Sequence, residues 1–71
     1  MEVEKMEIIV NGDKVHCEEK ITLEKLMKDL GYQKERIAVE VNGKIVVKDQ
    51  YEACILGPAD RLEVVTFVGG G

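Results

Sequence analysis

The sequence has no tryptophan, one proline, one histidine and two cysteines. Four ligands make a structural zinc site, and four thiolates hold most iron–sulfur clusters. His16 with the widely separated Cys17 and Cys54 falls short of both, so no metal site is expected. Both thiols read as reduced packing residues, since free cysteine behaves as a small hydrophobe. No apolar run approaches the roughly 18 residues of a membrane span. The start, Met1 to Lys5, is acidic and lacks the cationic-then-apolar pattern of a secretion signal. A cytoplasmic location without membrane contact is therefore the expectation. Basic residues are not clustered, and the net charge is −4. That argues against nucleic acid, which is held by grouped Lys and Arg. There is also no nucleophile–base pair, no pair of carboxylates at motif spacing and no phosphate loop, so the chain carries no catalytic residue of its own. His16 reads as a solvated strand residue.

What remains is a folding pattern and an unusual end. The 71 residues are 45 % hydrophobic. A single small domain is expected, one that buries only about 60 % of its unfolded surface. Residues 6–11 alternate, with Met6, Ile8 and Val10 on one face and Glu7, Ile9 and Asn11 on the other. Asn11-Gly12 is a type I′ hairpin signal. Residues 14–18 return with Val15 and Cys17 inward. Thr22 is an N-cap, Ile21 and Leu26 form a hydrophobic staple, and Leu23, Leu26, Met27 and Leu30 make one apolar stripe. Glu24 is spaced to pair with Lys28, and Gly31 ends the helix. A second alternating strand, residues 36–42, leads into Asn42-Gly43 and a return strand over 44–48. Residues 51–56 read as a connecting turn of helix, and Gly57 to Asp60 as a turn with Pro58 second. The final strand places Leu62, Val64 and Thr66 on one face and Glu63, Val65 and Phe67 on the other.

One helix covers only one face of such a sheet. The expected fold is α+β, a four- to five-stranded mixed sheet under a helix at about residues 22–30. The first and last strands are expected side by side at its centre. Ile9, Ala38, Val65 and Phe67 would then cluster on the uncovered face as a partner-docking patch. Beyond this domain of residues 1–68 lies a tail of residues 69–71, Gly69-Gly70-Gly71. Three glycines are not needed to end a strand. Without side chains they can thread a narrow channel and present the Gly71 α-carboxylate at its far end.

The order of elements with this glycine ending resembles the ubiquitin-like β-grasp group. More narrowly it is similar to the ThiS family, sulfur carriers of thiamin (thiazole) biosynthesis. The likeness is carried by Ile9-Val10-Asn11-Gly12, by Ile21-Thr22-Leu23 with Leu26, by residues 39–46 (VEVNGKIV) and by residues 60–71 (DRLEVVTFVGGG). Pro58-Ala59-Asp60 and Tyr51 depart from the family's usual turn and its frequent tryptophan. The resemblance implies that a ThiF-type enzyme, using ATP and Mg²⁺, adenylates the Gly71 carboxylate. Sulfur from a cysteine desulfurase-derived persulfide then displaces AMP. The resulting thiocarboxylate passes sulfur to a ThiG-type thiazole synthase. Gly69 and Gly70 would thread the partners' channels, and the carrier, expected as a monomer, would bind no cofactor itself. Two relatives of the same chemistry stay open at this level: the small subunit of molybdopterin synthase, and a ubiquitin-like protein modifier joined through Gly71.

Overall fold

The computed structural model describes residues 4–68. Its strands are β1 (Lys5–Val10), β2 (Asp13–Glu18), β3 (Ile37–Val41), β4 (Lys44–Val46) and β5 (Arg61–Thr66), with one helix, α1 (Leu23–Asp29). The sheet runs β2-β1-β5-β3-β4. Each Asn-Gly pair closes a hairpin, with φ of 51° and 85° at Asn11 and Gly12 and of 52° and 84° at Asn42 and Gly43. Both central residues thus have the positive φ of a type I′ turn. Two local hairpins are joined by β5, which lies parallel to β1 and antiparallel to β3. This is the expected five-stranded mixed sheet, with first and last strands adjacent in the middle.

The helix is short, so packing rather than propensity holds it. Thr22 Oγ1 accepts the Lys25 N–H at 3.2 Å. At the other end Gly31 has φ of 90°, its N–H donates to the Lys28 carbonyl, and the Tyr32 N–H donates to that of Met27. That is a Schellman closure, satisfying two orphan carbonyls. Leu23, Leu26 and Met27 are buried in one cluster with Met6, Ile8, Val10, Ile37, Val39, Leu62 and Val64 from the sheet. Ile21 joins them as the expected staple residue. Leu30 caps the helix and stays 41 % exposed, so the apolar stripe is one residue shorter than its spacing implies.

The stretch between β4 and β5 differs from the sequence reading. The return strand stops at Val46, and the helical turn is a 3-10 turn at Lys48–Gln50, not within residues 51–56. Residues 51–56 instead serve the helix. The Leu23 N–H donates to the Cys54 carbonyl at 2.8 Å, the Glu24 N–H to that of Tyr51 at 3.1 Å, and the Leu56 N–H to that of Ile21 at 2.9 Å. The Tyr51 and Cys54 carbonyls satisfy first-turn donors that a helix cannot pair internally. A second 3-10 turn, Lys34–Arg36, leads into β3. Glu24 reaches this turn: its carboxylate pairs with Lys34 Nζ at 2.7 Å rather than with Lys28, while Lys25 and Asp29 form the i,i+4 pair on the helix.

Candidate functional site

The open face of the sheet has two unlike halves, separated along β5. In the half that lies toward Arg61, His16 Nε2 and Glu7 Oε2 approach to 3.2 Å across the first hairpin. Ile9 lies there too. Its strand partners are Lys14 on one side and Arg61 on the other. Val65 pairs instead with Ala38, four residues further along β5, or about 13 Å at 3.3 Å per residue. Glu63 and its partner Glu40 stand between them. Ile9 therefore shares the open face with the other three expected patch residues but does not adjoin them. Alternation along a strand assigns a face; only the β1–β5 register assigns a position along it, and that register is a long-range property.

Ala38, Val65 and Phe67 do lie together at the other end. Val65 is 55 % exposed and Phe67 51 %. Two further apolar side chains extend the group. Ile45, the partner of Glu40, is 74 % exposed, and Val47 just beyond β4 is 60 % exposed. With Ala38 they line a shallow hollow of about 400 Å³. Sequence reasoning missed both. The signal was available, since Lys44-Ile45-Val46-Val47 alternates against Glu40 in the hairpin register, but the role of residue 45 depends on which face of β3 is covered.

The local structure fixes Phe67 where β5 ends. Its N–H donates to the Arg36 carbonyl at 2.8 Å, continuing the β3 ladder. Lys48 Nζ donates to the Ile37 carbonyl at 2.7 Å and sits 5.9 Å from the Phe67 ring centroid. The cation thus covers part of the ring and holds the end of β3 at once. Val68, the next residue, is 97 % exposed. Gly69, Gly70 and Gly71, the residues expected to thread the partners and carry sulfur, lie outside the described residues.

The remaining polar groups supply little chemistry. Burial pushes the thiols of Cys17 and Cys54 above the ordinary thiol range, and each has an acidic neighbour, Glu18 and Asp60 respectively, that raises it further. Reactive thiolates need the opposite environment. Both cysteines are free. Tyr51 is fully buried, and its hydroxyl faces the Val39 backbone without a well-formed hydrogen bond. No helix among the described residues is long and apolar enough to cross a membrane. The described residues present an apolar surface close to Val68, where the chain leaves the sheet.

Known proteins with this sequence pattern agree on a lineage. The chain is 42 % identical over 66 residues to a thiazole synthase of Magnetococcus marinus, a match that covers 93 % of this chain and 20 % of that protein. A thiazole synthase of Paramagnetospirillum magneticum is 36 % identical over the same length and with the same coverage. This chain thus spans about a fifth of the length of these relatives. The crystal structure of the thiamine biosynthesis protein ThiS from Geobacter metallireducens superposes with a TM-score of 0.79 at 29 % identity, covering 93 % of this chain and all of that one. Residues 4–71 match the ThiS family, and the chain belongs to it.

Proposed function

We propose that this protein is a sulfur carrier for thiazole formation in thiamin biosynthesis and a co-substrate rather than an enzyme. The observation that carries the reading is that the ThiS family match runs through the glycines to residue 71. A free α-carboxylate has a pKa of about 3.5, so at neutral pH it is an anion and a poor electrophile. A ThiF-type enzyme with ATP and Mg²⁺ converts the Gly71 carboxylate to an acyl adenylate, releasing pyrophosphate. A persulfide derived from a cysteine desulfurase then attacks the acyl carbon and AMP departs, leaving an acyl disulfide. A second thiol of the partner attacks the donor cysteine's sulfur, forms a disulfide with it and so releases the terminal sulfur on the acyl group. The resulting thiocarboxylate donates sulfur to a ThiG-type thiazole synthase. Gly69 and Gly70 have no Cβ to obstruct the channels that lead to these two active sites.

The described residues supply docking. Ala38, Ile45, Val47, Val65 and Phe67 form the contact surface, which anchors the domain while the tail enters the partner. That surface replaces Ile9 in the expected patch with Ile45 and Val47. The same tail chemistry serves molybdenum cofactor synthesis, but the ThiS match favours the thiamin arm. The test is complementation of a thiamin-requiring strain that lacks its own carrier. The full chain restores growth without thiamin, and a chain lacking Gly70 and Gly71 does not. Growth with the shortened chain would end the reading. Rescue of a molybdopterin-requiring strain alone would move the carrier to the other pathway, and adduct ladders on a denaturing gel would reveal a protein modifier.

A further inference from the structure

Both hairpin asparagines grip β5, but from opposite sides and at different points along it. Asn42 Oδ1 accepts the Arg61 N–H at 3.0 Å, and its Nδ2 donates to Asp60 Oδ1 at 3.0 Å. That grip secures the start of the strand. Asn11 Oδ1 accepts the Val64 N–H at 2.7 Å, and its Nδ2 donates to the Val64 carbonyl at 3.2 Å. One side chain thereby takes both backbone groups of a residue 53 positions away. It acts as the strand residue that β1 lacks, because β1 ends at Val10 and its chain turns back at Gly12.

The two edges of β5 are held to different lengths. On its β3 side the strand is held as far as Phe67, through the Arg36 carbonyl. On its β1 side the holds run from Asp60, whose carbonyl accepts the Ile9 N–H, through Leu62, whose carbonyl accepts that of Asn11, to Val64. Asn11 makes the last of them among the described residues. The next backbone groups on that edge belong to Thr66, already beyond the hairpin. From there the strand is held along one edge only. The direction in which Val68 leaves the sheet therefore depends on whether the β1 edge of the strand is held at Val64.

We propose that Asn11 is a positioning residue for uptake of the carrier: by clamping Val64 it fixes the direction in which β5 leads out at Val68, toward the partner that takes up the chain end. This rests on the carrier reading above. It predicts an effect on uptake of the carrier and not on the chemical step, which the partner performs. Asn11→Gly is the suitable variant, because glycine keeps the positive φ of the turn while removing both hydrogen bonds. Asn42→Gly is its matched control, the same change in the same turn type at the far end of β5.

The experiment is steady-state adenylation of each carrier by a ThiF-type enzyme with ATP, together with thermal unfolding and amide exchange at Val64. For Asn11→Gly the KM for the carrier rises roughly fivefold to tenfold, the loss expected when about one net hydrogen bond of ordering is forfeited. Its kcat stays within about twofold, and Val64 exchanges faster, as expected for a backbone amide that has lost its partner. Asn42→Gly loses thermal stability to a similar degree yet keeps the KM of the parent chain. An unchanged KM for Asn11→Gly with accelerated exchange at Val64 overturns the inference and leaves the carrier reading intact. Equal KM changes in both variants also overturn it, since they would report general loosening. A parent chain that is not adenylated at all overturns the carrier reading and the inference with it.

Discussion

One sheet face carries two surfaces, and they differ in what their side chains can gain from a partner. At the Arg61 end, Ile9 is flanked by Lys14 and Arg61, and His16 pairs with Glu7. At the Phe67 end, Ala38 pairs with Val65 near Phe67 and the chain's exit, and Ile45 and Val47 flank Ala38 from the β4 side. Charged side chains are already well solvated and gain little on contact, whereas exposed apolar carbon gains on the order of 25 cal/mol per Å² removed from water. On the proposed reading, the chain leaves the sheet at the end that has apolar surface to offer a partner. The contrast shows why strand alternation alone is a poor guide to a docking surface: Ile9 and Val65 have the same facing and opposite surroundings.

Four substitutions sharpen or break this contrast. The largest effect is expected from placing a charge in the apolar half. Ile45→Asp should lower kcat/KM for adenylation by about thirtyfold, the equivalent of one interface hot spot of about 2 kcal/mol. Its melting temperature should fall by only a few degrees, since Ile45 is 74 % exposed, although the new carboxylate faces Glu40 across the hairpin. The counterpart in the charged half, Lys14→Asp, should change kcat/KM by less than about twofold. Equal losses from the two would erase the distinction between the halves.

A smaller effect is expected at their boundary with the tail. Lys48 joins the Ile37 carbonyl to the Phe67 ring. Lys48→Ala should cost about 1 kcal/mol of stability, read by denaturant unfolding, and reduce kcat/KM by about threefold as Phe67 loses its cover. A full loss of activity would give Lys48 a direct role with the partner instead. The smallest effect belongs to the covered face. Tyr51→Phe removes a buried hydroxyl without a well-formed partner, so it should leave activity unchanged and raise stability by up to about 1 kcal/mol. A clear drop in melting temperature would mean that the hydroxyl does bond, by way of the Val39 backbone or a buried water.

Local rules make much of the fold readable. Both type I′ turns, the Thr22 cap, the Gly31 stop and the inward sets of β1, β3 and β5 are dictated by neighbouring residues alone. The central pairing of β1 with β5 is readable as well, because a chain this short has little else to fill the centre of the sheet. Residues 51–56 escape such rules because their shape is dictated by the helix start they serve, through the carbonyls of Tyr51 and Cys54. Lys34 is invisible as the partner of Glu24 for a similar reason: the contact depends on a turn between the helix and β3. At the site, alternation identifies the open face and three apolar residues that adjoin on it, Ala38, Val65 and Phe67. It also misplaces Ile9 and omits Ile45 and Val47, since a strand's pattern carries no record of how far its neighbour has slid. Asn11 is legible as a turn residue and not as a clamp, because Val64 is remote in sequence.

The central claim is that the carboxyl group of Gly71 becomes the sulfur-bearing group. Intact-mass spectrometry of the chain after incubation with a ThiF-type enzyme, ATP, Mg²⁺ and a persulfide source tests it directly. Exchange of one carboxyl oxygen for sulfur adds about 16 Da, and fragmentation should place that gain on Gly71. An unchanged mass under conditions where a known carrier is converted, or sulfur found on Cys17 or Cys54 instead, would contradict it.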